Sequence, residues 1–205
     1  MSRVKVKICG ITSIEDALLA CEYGADAIGF VFYKQSPRYI TPQDTIEIIE
    51  KLPAFISTVG VFVNEPIENI NNIVNLTGIN YIQLHGDEPM STISRFGRRA
   101  IKAFRIKDAL SIKEVNESGL NFVLLDSYTK NYGGSGKSFD HELLKGLSKN
   151  IKFILSGGIT PENVSRIIQL YKPYAVDVSS GVESSPGKKS IEKIKLLFER
   201  INSCR

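Results

Sequence analysis

A chain of 205 residues has room for one domain or two small ones, and 42% hydrophobic with 23% charged residues excludes a disordered or fibrous protein. The net charge of +4 comes from the segment Pro186 to Arg205, which holds six basic and two acidic residues, so the other 185 residues balance and present no basic face of the kind that binds nucleic acid. Cys9, Cys21 and Cys204 have no CxxC spacing, which argues against a disulfide framework or a zinc site and for a reducing, cytoplasmic compartment; no signal-like or membrane-spanning apolar run is present.

Eight short apolar or β-branched runs read as strands: Val4–Ile8, Ala27–Phe32, Ile56–Phe62, Tyr81–Leu84, Ala100–Phe104, Phe122–Leu125, Phe153–Leu155 and Tyr174–Val178. Most are nearly continuous, as strands buried on both faces are. Their starts are spaced by about 24 residues, the length of one strand, one loop and one helix. The segments between carry helix signals. Thr12-Ser13-Ile14-Glu15 reads as a capping box, and Thr41-Pro42 and Thr160-Pro161 as an N-cap followed by proline. Pro66 opens a stripe of Ile67, Ile70, Ile73 and Val74. His141 falls at the start of a sixth helix. From Ser190, Ile191, Ile194, Leu197, Phe198 and Ile201 share one face, and the Lys and Glu residues between them read as the solvated one. Eight such units predict an α/β fold, a single-domain (β/α)₈ TIM barrel over residues 1–205. A doubly wound sheet is the rival, disfavoured by the unit count and by the lack of a GxGxxG opening a helix after the first strand.

In such a barrel the loops after the strands carry the site. Those positions hold Cys9-Gly10, Ser36-Pro37-Arg38, Asn64, Gln83-Leu84-His85-Gly86-Asp87, Asp126, Gly133-Gly134-Ser135-Gly136, Ser156-Gly157-Gly158 and Asp177-Val178-Ser179-Ser180-Gly181. Glycines after strands seven and eight let backbone N–H groups approach an anion, so a phosphate site is expected there. Gly136-Lys137-Ser138 lacks the upstream frame of a Walker A loop, so ATP is not implied. A thiol at the rim suits a base or nucleophile, and equally a small buried hydrophobe, so Cys9 is a candidate only. Asp126, after four apolar residues, suits an acid or a helix cap. Arg38 can grip a carboxylate with two parallel hydrogen bonds or be a surface arginine. His85 ends a strand and is a candidate ligand contact; the two histidines make no metal pattern with Cys9 and Asp126.

Taken together, Lys7-Ile8-Cys9-Gly10-Ile11-Thr12, Gly29-Phe30-Val31-Phe32 with Ser36-Pro37-Arg38, Gln83-Leu84-His85-Gly86, Leu124-Leu125-Asp126, Gly133-Gly134-Ser135-Gly136, Leu155-Ser156-Gly157-Gly158-Ile159 and Asp177-Val178-Ser179-Ser180-Gly181-Val182-Glu183 with Pro186-Gly187 resemble the phosphoribosylanthranilate isomerase family. The resemblance runs the length of the chain in order. It implies an aldose–ketose isomerase of tryptophan biosynthesis, performing an Amadori rearrangement with no metal or organic cofactor. It implies Asp126 as general acid and Cys9 as general base. It implies Arg38 on the anthranilate carboxylate, and Gly134, Gly158, Ser180 and Gly181 around the phosphate. It implies Asp177 near the sugar. Two positions depart from the family pattern, His141 in Phe139-Asp140-His141 and Ser190. A lysine–glutamate set would instead suit an indole-glycerol-phosphate synthase, metal-binding histidines an epimerase, and a decayed site a binding protein; none fits Cys9, Arg38 and Asp126 together.

Overall fold

The computed structural model describes residues 3–128 and 138–204. Eight parallel strands close into a barrel in chain order: β1 (Lys5–Cys9), β2 (Ala27–Val31), β3 (Ser57–Phe62), β4 (Tyr81–Leu84), β5 (Ala100–Ile106), β6 (Phe122–Ser127), β7 (Lys152–Leu155) and β8 (Ala175–Val178), with β8 pairing back onto β1. Helices α1 (Ile14–Tyr23), α2 (Pro42–Ile49), α3 (Ile67–Thr77), α4 (Met90–Phe96), α5 (Ala109–Glu117), α6 (Val164–Tyr171) and α7 (Ile191–Asn202) pack around it. A two-stranded ribbon, β9 (Glu183–Ser185) with β10 (Lys188–Lys189), follows β8. The fold is the expected (β/α)₈ barrel, and all eight predicted strands form within two residues of their expected ends. No helix among the described residues is long and apolar enough to cross a membrane.

Register decides which side chains meet. Residues paired across a parallel ladder share a face, and faces alternate along each strand. The chain Lys5–Ala175–Ile154–Leu124–Ala103 is one such set, as is Lys7–Asp177. Ile101, Ala103, Leu124, Ile154 and Ala175 accordingly form a small apolar cluster of their own, separate from the main one. The opposite set includes Ile8, Ile28, Phe30, Phe62, Ile82 and Leu84, each fully buried in the larger core with Ala17, Ile70 and Phe198 of the helices. Each such side chain contributes roughly 1.5–3 kcal/mol by leaving water. The barrel core is thus built from two apolar shells, and the polar residues of the inward set collect above the inner one.

Helix ends agree with the sequence in part. Thr41 caps α2 by accepting from the Asp44 amide, and Ser190 caps α7 by accepting from Lys193. The expected capping box at α1 is displaced by one residue: Ser13 is the N-cap, while the Thr12 hydroxyl donates to the Gly187 carbonyl. Thr160-Pro161 starts a turn, and α6 begins only at Val164 after Asn163. The helix expected to begin at His141 is instead a 3₁₀ turn, His141–Gly146, capped by Asp140.

Candidate active site

Cys9 is the last residue of β1, with its side chain against Lys7. A Cβ at position 29 across the ladder would lie 2.8 Å from Cys9 Sγ and 2.9 Å from Lys7 Cε, so the glycine there leaves both side chains room in their present places. Lys7 is only 4% exposed and donates to Asp177 Oδ2 at 2.9 Å and to Gln83 Oε1 at 2.8 Å. Burial pulls the Lys7 ammonium down, but the Asp177 carboxylate and Cys9 outweigh it and hold it above the ordinary lysine value. Burial pushes the Cys9 thiol up; the Lys7 and Lys189 ammonium groups pull it back without cancelling the rise. Asp177 Oδ1 is buried and has no hydrogen-bond partner among the described residues.

Asp126 lies within β6 rather than after it. Its Oδ1 accepts from the Ser127 amide at 2.8 Å, and its Oδ2 is 2.9 Å from His85 Nε2. His85 Nδ1 lies 2.8 Å from Gln83 Nε2. Both ring nitrogens of His85, expected to contact a ligand, are therefore engaged by the protein. The chain Asp177–Lys7–Gln83–His85–Asp126 crosses the mouth from β8 through β1 and β4 to β6, every member less than a tenth exposed.

Arg38, on the loop after β2, is also buried. Its Nε and Nη2 donate to the two oxygens of Glu183 at 2.9 and 2.7 Å. Lys189 Nζ donates to Glu183 Oε1 at 2.8 Å and to the Cys9 carbonyl at 2.7 Å. Burial pushes Glu183 up, yet the Arg38 and Lys189 donors hold it below the ordinary carboxylate value; burial pulls Lys189 down and Glu183 only partly restores it. The two partners shift in opposite senses as regards charge. Glu183 is the firmer of the two, since it receives three short contacts from two cations, whereas Lys189 shares one carboxylate with a competing arginine. With all three ionised the cluster is net positive, and Arg38 keeps three of its five N–H donors for another acceptor.

This triad sets a stability prediction. A carboxylate held low in the fold stabilises above the unfolded value of 4.5, and that contribution is lost as pH falls through the lower folded value. Glu183→Ala, leaving two buried cations unpaired, is expected to cost about 3–5 kcal/mol in urea unfolding at neutral pH. The gap to wild type is expected to narrow below pH 4.5. An equal gap at both pH values would contradict this.

The loops after β7 and β8 lie directly against each other. A Cβ on Gly181 would sit 1.9 Å from the Ile159 carbonyl oxygen, so only glycine permits the contact. Gly158 has φ +68°, and its carbonyl accepts from Asn163 Nδ2 at 2.8 Å. Ser180 opens a short 3₁₀ turn, Ser180–Val182, beside Gly181. Gly134 and the rest of Gly133-Gly134-Ser135-Gly136 lie outside the described residues. The barrel mouth thus joins a thiol beside a lysine, a carboxyl beside a histidine, a cationic cluster at Arg38, and a glycine-shaped loop pair.

Residues 6–200 match the family described as N-(5'-phosphoribosyl)anthranilate (PRA) isomerase. The chain belongs to the PRA isomerase family. A PRA isomerase of Geobacter sulfurreducens is 47% identical over 198 residues, covering 96% of this chain and 98% of that one. The crystal structure of the Thermus thermophilus PRA isomerase superposes with a TM-score of 0.91 at 40% identity, covering 98% of this chain and all of the other. A PRA isomerase solved in complex with reduced 1-(o-carboxyphenylamino)-1-deoxyribulose 5-phosphate has a TM-score of 0.85 at 40% identity, covering 98% and 99%.

The sequence of this PRA isomerase alone gives Lys7, Gln83, Glu183 and Lys189 no role. One signal was present for the first: Val4-Lys5-Val6-Lys7-Ile8-Cys9 alternates, so a lysine between two buried apolar residues points the opposite way from them, into the barrel. Lys189 was hidden in a segment read as solvated charge, although it is 5% exposed.

Proposed function

We propose that the chain isomerises N-(5'-phosphoribosyl)anthranilate to 1-(o-carboxyphenylamino)-1-deoxyribulose 5-phosphate in tryptophan biosynthesis. The observation that carries this is the likeness, over 98% of the chain, to a PRA isomerase holding the reduced product. Asp126, as general acid, protonates the furanose ring oxygen. The C1–O bond breaks as the anilino nitrogen lone pair forms the Schiff base. Cys9, as general base, takes the proton from C2, and the electron pair of that bond forms C1=C2 of the enolamine. The enol O–H then loses its proton, C1 gains one, and the ketone results. C2 is oxidised and C1 reduced within one molecule, so the reaction needs no external electron carrier, and the proposed steps call on no metal or organic cofactor. The substrate is a small phosphorylated molecule rather than a nucleic acid or membrane, and the three free cysteines suit cytoplasmic work.

The remaining contacts follow from charge. The net-positive Arg38–Glu183–Lys189 cluster suits the anthranilate carboxylate, with the outer guanidinium N–H groups donating. The unpartnered Asp177 Oδ1 suits a sugar hydroxyl. Gly158, Ser180 and Gly181 suit the phosphate through backbone groups, and the resemblance adds Gly134, which lies outside the described residues. Ser180→Asp would add a like charge there and is expected to raise KM at least about 10-fold, since unit charges a few ångströms apart near a protein surface repel by about 4 kcal/mol. Binding of an unphosphorylated substrate analogue, followed by calorimetry, should change little; an equal loss for both would remove the phosphate assignment.

The function itself is tested by adding freshly made PRA with a metal chelator and following loss of anthranilate fluorescence. Conversion to the ketose is expected. A folded protein that binds phosphate esters but leaves PRA unchanged would favour a binding protein instead.

A further inference from the structure

We propose that Gln83, aligned by Lys7, is a positioning residue that keeps His85 a neutral Nε2–H donor, so that Asp126 faces an uncharged ring rather than an imidazolium. This rests on the reading of Asp126 as general acid and adds what makes that role possible.

Lys7 carries an ammonium, which has three donors and no acceptor. The Gln83 atom 2.8 Å from it must therefore be the amide oxygen. That leaves the Gln83 NH₂ facing His85 Nδ1 at 2.8 Å. Nδ1 must then be an unprotonated acceptor, and the single proton of the ring lies on Nε2, aimed at Asp126 Oδ2 at 2.9 Å. A second ring proton would set Nδ1–H against the Gln83 N–H donors in a site where both residues are less than a tenth exposed. Flipping the amide does not relieve this, because it would turn NH₂ toward the ammonium. Asp177 closes the far end by accepting from Lys7 at 2.9 Å and favouring its charged form.

A histidine in contact with an aspartate is otherwise apt to become an imidazolium–carboxylate pair. In that state Asp126 would have no proton to give. With Nδ1 occupied as an acceptor, the ring stays uncharged and no imidazolium stands beside Asp126 to hold its carboxyl ionised. Other charged groups reach the pair by hydrogen bonds or register: Lys7 of β1 and Asp177 of β8 through Gln83, and Arg105, whose position pairs with Asp126 across the β5–β6 ladder and whose guanidinium bonds Asp87 of the β4 loop. Of these, Lys7 is joined to the His85 ring through the intervening Gln83 side chain.

The test is the imidazole state of His85 by ¹⁵N NMR of the substrate-free protein. The chain has two histidines, and His141, packed between Phe139 and Tyr171 away from the mouth, is assigned from the signal lost in His141→Gln. The wild-type His85 ring is expected to be neutral with its proton on Nε2 throughout the pH range of turnover. Gln83→Glu replaces the donor by an acceptor; His85 should become imidazolium, and kcat should fall about 10²-fold, the lower end of a general acid's contribution, with KM little changed. In Gln83→Met, which offers Nδ1 no N–H donor, the ring should gain its second proton within that pH range. A wild-type ring that is charged or carries its proton on Nδ1 overturns the proposal. So does a Gln83→Met ring that stays neutral, or a Gln83→Glu enzyme with wild-type kcat. The spectra need no turnover, so a protein failing to isomerise PRA while showing the expected ring state would remove the function and leave the alignment standing.

Discussion

Cys9→Ala is expected to fold as wild type and to lose about 10² to 10⁴ in turnover, the usual worth of a positioned acid or base. Alanine fits the space beside Gly29, and the site keeps its Lys7–Asp177 pair, so the loss is chemical rather than structural. Cys21→Ala and Cys204→Ala, at half-buried positions on the first and last helices' side of the fold, should change turnover little. The pH dependence carries the sign. Burial raises the Cys9 thiol above the ordinary value of 9.0, so the thiolate fraction, and with it kcat/KM, should climb toward alkaline pH. Lys7→Met removes the principal group pulling the thiol back, and its rise should move to still higher pH. Steady-state rates of the cysteine variants and a pH profile of the wild type check both. A Cys9→Ala enzyme near wild-type turnover would remove Cys9 as the base.

Asp126→Asn is expected to lower kcat by about 10² to 10⁴ while KM stays nearly constant. Asparagine keeps the shape, but its single carbonyl oxygen can accept from only one of the Ser127 amide and His85 Nε2, and it has no carboxyl proton to transfer. Charge builds on the ring oxygen only as the C1–O bond breaks, so the loss falls in the transition state. A rise in KM with kcat unchanged would instead make Asp126 a binding group.

The barrel was legible because its signals are local and repeat eight times. Each strand is a short apolar run, and a run such as Phe122–Leu125 keeps its identity whatever surrounds it. The shifts at Ser13 and Asn163 have a tertiary cause or a local rival. Thr12 is drawn away to the Gly187 carbonyl, and Asn163 Oδ1 accepts from the Thr160 amide, closing a turn before α6 starts. The sixth unit misled because His141-Glu-Leu-Leu-Lys-Gly suits a helix locally but forms one short 3₁₀ turn. The site was legible as positions at strand ends. Its wiring was not, because Arg38 finds Glu183 at a separation of 145 residues and Lys7 finds Asp177 at 170. No window of sequence holds such pairs; the closure of β8 onto β1 brings them together.

The proposed isomerisation depends on one thiol and one carboxyl, on β1 and β6. It is tested most directly by turnover of freshly made PRA with the wild type beside the Cys9→Ala/Asp126→Asn double variant, at equal folded concentration. The wild type is expected to convert the substrate, and the double variant to fall short by at least as much as the more damaged single variant, though by less than the product of the two losses, since acid and base serve one sequence. A double variant that turns PRA over at the wild-type rate would contradict the account.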